Sequence, residues 1–510
     1  MLGVRGGAWD SVLVAMAAVA ASAAALWFFF ERGDILYYGD AQAHLNIARR
    51  IIDSRTPGID QIGTVWLPLP HLLMLPLVRN DELWRTGLAG AIPAAACFVM
   101  AVTFLYAAAK HAFESRAAGA VAAALFALNP NVLYVQSTPM SEPVFFAALA
   151  VLVYSTVRFT RSPSLWWAAA AGVAALAGSL ARYEGWFVLP FTAAWFLVRR
   201  RWLAACLFSG IALLGPLAWL AHNWWWYGSF FEFYSGPYSA KAIQGVARYP
   251  GDGNWRDAFT QLHAAMWLCA GSALLWLGGL GALGAFARRV FWPILLLALV
   301  PAFYVWSAHS GGTPIFVPHL WPHSYYNTRY GLAVMPLASF AAASLAAWTP
   351  RRWRELAALI VIFTGVSVWL FNPGEGNWIT WKESEVNSHA RRAWTQIAAT
   401  YLNQEYRRGS GIFTTFGDVT GIFAAAGIPL RETLTWDNSP VWLAAVARPD
   451  LFLREEWAVA VAGDKVQSTV LRASRPGAGG PRYTLQKTII VKDAPVIEIY
   501  RRSSVQLGPK

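Results

Sequence analysis

The chain has 510 residues, of which 56% are hydrophobic and only 14% charged, with a mean hydropathy of +0.39. Soluble domains carry about 25% charged residues, which excludes most of this chain from that class. A net charge of +13 would suggest a nucleic-acid partner for a soluble protein; its distribution, given below, removes that reason.

The 28 tryptophans suit the belts at membrane–water boundaries, where a large ring with one polar N–H is well placed. Cys97, Cys206 and Cys269 all lie in apolar segments without a Cys-x-x-Cys, so neither a disulfide framework nor a zinc site is indicated.

The first apolar stretch, Val12 to Phe30, lacks a small-residue cleavage site before Glu31 and is expected to be a retained helix. Further apolar runs follow near 87–109, 117–135, 143–160, 165–181, 185–198, 203–226, 263–287, 290–308, 330–348 and 355–372. A span needs about 20 residues, so these runs predict about eleven spans, although two of them are short. Internal prolines such as Pro93, Pro190, Pro216 and Pro336 are tolerable where neighbouring helices satisfy the freed carbonyls.

With the N-terminus in the cytoplasm, the cytoplasmic segments hold 13 basic residues (Arg5 and Arg199–Arg201 among them) against three acids. The opposite side, up to residue 372, holds 11 basic residues and 12 acids in much longer loops. This is the positive-inside pattern, and it accounts for the basic excess without nucleic acid.

The first outer loop, about 31–86, contains an expected amphipathic helix from Ala41 to Asp53. Its apolar stripe is Ala41, Leu45, Ala48, Ile51 and Ile52, with Arg49, Arg50 and Asp53 on other faces. Such a helix can lie in the interface plane. Trp66 to Leu73 is a second short element expected to return to the membrane.

After Asn372-Pro373-Gly374 the composition changes: residues 373–510 hold 17 basic and 13 acidic residues and no spanning run. Helix-like stretches near 386–407, 418–426 and 439–447 alternate with strand-like ones at 411–416, 457–461, 488–491 and 496–500. The expected fold is therefore mainly α: a polytopic membrane bundle over 1–372, followed by a small extracytoplasmic α/β domain over 373–510.

Candidate chemistry collects at the outer ends of the spans. Asp40 begins the first-loop helix, so it is either an N-cap, a catalytic carboxylate, or both. His44, at i+4, shares its face. Glu142 stands between Pro139 and Pro143 at the mouth of the fourth span, where the helix dipole also favours an acid. Arg182 and Glu184 end the fifth span and could simply neutralise one another. Arg329, with Tyr330 beside it, is a basic residue on the outside, where its planar fork suits a phosphate at headgroup level; snorkelling to lipid phosphate is the alternative. His309, His319 and His323 lack matched carboxylates, so no metal ligands are assigned and a divalent cation stays open.

On these motifs the chain resembles the GT-C superfamily of polyprenyl-phosphate-sugar-dependent glycosyltransferases, in particular protein mannosyltransferases and bacterial lipid A aminoarabinose transferases. Gly39-Asp40-Ala41 matches the first-loop acidic motif, with Ala41 in place of its second acid. Trp66-Leu67-Pro68-Leu69-Pro70-His71 is similar to the Pro-Pro-Leu segment without its neighbouring lysine. Ser141-Glu142-Pro143 and Arg329-Tyr330 match a second acidic position and a late Arg-Tyr element.

The resemblance implies an inverting transferase in the bacterial inner membrane, moving a sugar from a polyprenyl phosphate to a hydroxyl of a protein, lipid or glycan. Asp40 would be the base and Glu142 the second acid; His44, Arg182, Arg329 and Tyr330 would bind substrate. The competing readings are a transporter or flippase, which should carry charges near mid-span, and a non-catalytic envelope assembly protein.

Overall fold

The computed structural model describes residues 7–237, 239–245, 248–415 and 417–503. Arg5 and Phe416 lie outside them. The chain is mainly helical, with one small sheet near its C-terminus.

Seven helices among the described residues are long and apolar enough to cross a membrane: Trp9–Glu31, Leu88–Phe113, Glu142–Arg161, Trp202–Tyr227, Phe291–His309, Thr328–Trp348 and Arg351–Phe371. Two further runs are broken. Arg116–Ala127 and Pro130–Gln136 meet at 67°, because Asn129 caps the second helix by accepting from the backbone N–H of Asn131 and Val132, with Pro130 at its first position. Trp255–Ala270 and Ser272–Ala287 meet at 106° across Gly271, whose φ of +80° needs a residue without a Cβ. Counting each bent pair as one span gives nine. The remaining expected spans form helices Leu165–Ala181 and Tyr183–Val198, of 17 and 16 residues, at the lower limit of a crossing.

The chain divides into two compact units. The first comprises 1–35, 64–70 and 91–384. Its helices pack through small residues: a Cβ on Gly281 would stand 2.1 Å from the Ala341 carbonyl oxygen, so Ser272–Ala287 and Met335–Trp348 approach backbone to backbone. Membrane helices rely on this packing because lipid is as apolar as their side chains.

The second unit comprises 36–63, 71–90 and 385–510, so most of the first outer loop packs with the C-terminal residues, whereas the sequence reading divides the chain at 372/373. The physical reason lies in the loop helix, Gly39–Arg50. Its Leu45 and Ala48 bury against Met74, Val78, Trp84 and Leu430.

The face expected to be polar is buried too. Arg49 bonds Asp53 at 2.7 Å and Asp81 at 2.6 Å and lies over the Trp84 ring, while Arg50 bonds Asp437 at 2.8 Å and the Gln61 carbonyl. Hydropathy placed these arginines at a surface; their partners allow burial instead.

The sheet has the order β2-β1-β3-β5-β4, with β1 Ile412–Thr414, β2 Thr433–Leu434, β3 Trp457–Val461, β4 Tyr483–Ile489 and β5 Ile497–Arg502. β1 runs parallel to β2 and β3, and β5 antiparallel to β3 and β4. One face buries Ile412, Trp457, Val459 and Ile499 against Trp394, Ala398 and Leu402 of helix Ile379–Glu405. The sequence reading misses β2, places β4 too late, and misses helix Lys465–Ala473, although Asp464 caps it by accepting from Gln467.

Candidate active site

In the first unit, chain breaks deliver five charged side chains to one buried cluster. Ser141 precedes helix Glu142–Arg161, which places Glu142 at its first position, where the orphan N–H groups favour a carboxylate. Arg182 is the extended residue (φ −151°, ψ 152°) that ends Leu165–Ala181 and begins Tyr183–Val198. Arg329 sits in the 3₁₀ turn Thr328–Val334, entered through Asn327 in the left-handed region at φ +54°.

The contacts form a chain of alternating sign. Glu142 Oε1 is 3.1 Å from Arg182 Nη1 and 3.2 Å from Arg329 Nε. Arg182 Nε also donates to Glu184 at 2.7 Å, and its other nitrogens donate to the hydroxyls of Ser141 and Tyr304 at 2.8 Å each. Tyr304 in turn donates to Glu184. Arg329 Nη1 lies 3.7 Å from Glu383 Oε1, and Glu383 accepts from the Thr328 hydroxyl and the Arg329 backbone N–H.

Tyr330 forms one wall: both guanidiniums lie over its ring, at 5.5 Å (Arg182) and 5.2 Å (Arg329), and Tyr304 packs 4.6 Å away. Glu142 and Glu383 are only 3% and 2% exposed. Burial raises the Glu383 pKa, with Arg329 and the Thr328 hydroxyl opposing the shift.

The structure thus brings Glu142, Arg182, Arg329 and Tyr330 together around one small cavity, with Glu184 and Tyr304 also lining it. Glu184 pairs with Arg182, and Arg182 also reaches Glu142.

Glu383 is the residue that sequence reasoning missed. Its one available signal was an acid among Trp381-Lys382-Glu383-Ser384, just beyond the last apolar run. Glu383→Ala should lower the thermal midpoint of the solubilised protein sharply, because breaking a buried pair costs about 3–5 kcal/mol. Glu383→Gln, which keeps an acceptor for Thr328, should lose less; equal losses would show that the charge alone, and not the hydrogen bond to Thr328, carries the stability.

Asp40 and His44 belong to the second unit. Asp40 is half-buried in the first turn of Gly39–Arg50, but the cap position is Tyr38, so the expected N-cap role is not the one it has. His44 Nδ1 lies 2.8 Å from His71 Nε2, and both rings are buried. His71 falls in the Trp66–Leu73 segment, yet nothing in its spacing predicted this partner.

Among the outer-loop histidines, His309 stacks on Trp255 at 3.8 Å and His323 Nδ1 lies 3.2 Å from the Pro318 carbonyl. Among the described residues no group of three or more His, Cys, Asp or Glu side chains is arranged to hold a metal.

Fold and cluster define a multi-pass membrane protein with paired acids and arginines buried at helix ends, and the comparisons give it a wider setting. Residues 83–226 match the family model of dolichyl-phosphate-mannose-protein mannosyltransferases. The crystal structure of ArnT from Cupriavidus metallidurans bound to undecaprenyl phosphate superposes with a TM-score of 0.56 at 13% identity, covering 98% of this chain and 99% of that one. The apo state of the same protein gives 0.53 at 14% identity, covering 92% and 94%. No curated protein matches the sequence. The chain thus shares the fold of the ArnT structures, and over residues 83–226 it resembles the mannosyltransferase family in sequence.

Proposed function

We propose that this protein is an integral-membrane glycosyltransferase that takes a sugar from a polyprenyl-phosphate monosaccharide and places it on an acceptor hydroxyl at the extracytoplasmic face. The observation that carries this reading is the buried Glu142–Arg182–Arg329 cluster. Two guanidiniums held in place by carboxylates offer preorganised cations to a leaving phosphate. The fold shared with a protein solved with undecaprenyl phosphate supports the lipid carrier.

Asp40 takes the proton of the acceptor hydroxyl as its oxygen attacks the anomeric carbon. The bond from that carbon to the phosphate oxygen breaks, and polyprenyl phosphate leaves with the electron pair. Attack opposite the phosphate inverts the anomeric centre. Glu142 orients acceptor or sugar and keeps Arg182 and Arg329 aimed; His44 and Tyr330 complete the substrate contacts. The positive-inside charge pattern puts the N-terminus in the cytoplasm, and counting both short helices as crossings, eleven in all, puts residues 373–510 outside.

This sidedness has a direct test. On intact cells, a membrane-impermeant thiol reagent should label cysteines engineered at exposed sites in 373–510 and spare those in the Arg199–Arg201 loop. The reverse pattern would place the acids on the wrong face and defeat the proposal.

A further inference from the structure

The second unit contains a cleft of about 500 Å³ that the proposed reaction leaves unassigned. Gln42, His389, Arg391, Arg392, Thr395 and Gln396 line it, and none of its described lining residues is acidic. Arg391 is 7% exposed and is held in place: its Nη1 donates to the Gln42 side chain at 3.0 Å and its Nη2 to the Tyr37 carbonyl at 2.5 Å. Asp418 lies 3.8 Å from it but is itself largely exposed.

Arg392 stacks on the Tyr37 ring at 3.8 Å and reaches Ser388 through Nε. Among the described residues no carboxylate pairs with Arg392. Two adjacent guanidiniums fixed by stacking and backbone contacts, with an imidazole beside them, form a site for a phosphate or carboxylate group. Gln42, Thr395 and Gln396 add donors and acceptors suited to hydroxyls.

Position supplies the second argument. Gln42 stands two residues after Asp40 on the same helix, and a Cβ on Gly39 would come within 3.3 Å of Arg391 Nη1. The cleft therefore adjoins the turn that presents Asp40. We infer that it binds an anionic group of the acceptor, so that the acceptor is a negatively charged, hydroxyl-bearing molecule. This inference rests on the assignment of Asp40 as base.

The test uses the full chain in phosphatidylcholine nanodiscs, with inorganic phosphate as probe and ³¹P line broadening as readout. Wild type should bind phosphate, and binding should survive saturation with undecaprenyl phosphate. Arg391→Gln and Arg392→Gln should each weaken it about tenfold or more, the loss expected for a charge-assisted hydrogen bond. Arg392→Gln decides the matter if Arg391→Gln does not fold.

Asp40→Asn should bind phosphate as wild type does. An active Asp40→Asn would remove the catalytic reading while leaving the anion site standing, which separates the two failures. No binding in wild type, unchanged binding in Arg392→Gln, or displacement by undecaprenyl phosphate would each overturn the inference; displacement would assign the cleft to the donor.

Discussion

Asp40→Asn should abolish sugar transfer while leaving the protein inserted and folded. Removing a positioned general base lowers rate by about 10²- to 10⁴-fold. The structural cost is small: Asn keeps the size and one acceptor oxygen of Asp, the cap at Tyr38 is untouched, and the first-turn charge removed is worth about 0.3–1 kcal/mol. Measured in proteoliposomes beside a thermal melt, transfer should collapse and the melt should barely move. Near-normal turnover would leave Asp40 as a helix-terminus acid and end the mechanism.

Substitutions at Arg329 and Glu142 should separate donor binding from chemistry. Arg329→Lys keeps a charge but loses the planar fork that spans Glu142 and Glu383. Donor affinity should fall while some activity survives. Arg329→Ala should lose more, through a weaker donor site and a poorer leaving group, and it also removes one partner from each of two buried carboxylates. Glu142→Gln keeps an oxygen for both guanidiniums, so donor affinity should hold while transfer slows. Direct binding of the lipid donor beside turnover distinguishes these outcomes. Equal donor affinity in wild type and Arg329→Ala would remove Arg329 from the site and turn attention to Arg182.

The helices were legible because a 20-residue apolar run has few alternatives in a chain this poor in charge. Their interruptions were less so. Asn129-Pro130 and Gly271 are ordinary break signals, yet inside continuous apolar runs they were read as part of one span. Arg49 and Arg50 show a second limit: hydropathy assigns an arginine to a surface, and the distant Asp81 and Asp437, together with Asp53 one turn on from Arg49, reveal why it can be buried.

Glu142, Arg182 and Arg329 were visible as charges at span ends and the resemblance assigned them to one site, but their direct pairing was not visible. Glu383, 54 residues from Arg329, and His71, 27 from His44, are joined to them by tertiary packing, to which local periodicity is blind.

The most direct test of the central claim is to supply the purified chain, in proteoliposomes, with a polyprenyl-phosphate monosaccharide labelled in both sugar and lipid. An enzyme of the proposed kind should release polyprenyl phosphate and yield sugar with inverted anomeric configuration, transferred to an acceptor or to water. Intact donor that merely changes leaflet, or donor that is bound and never cleaved, would contradict it.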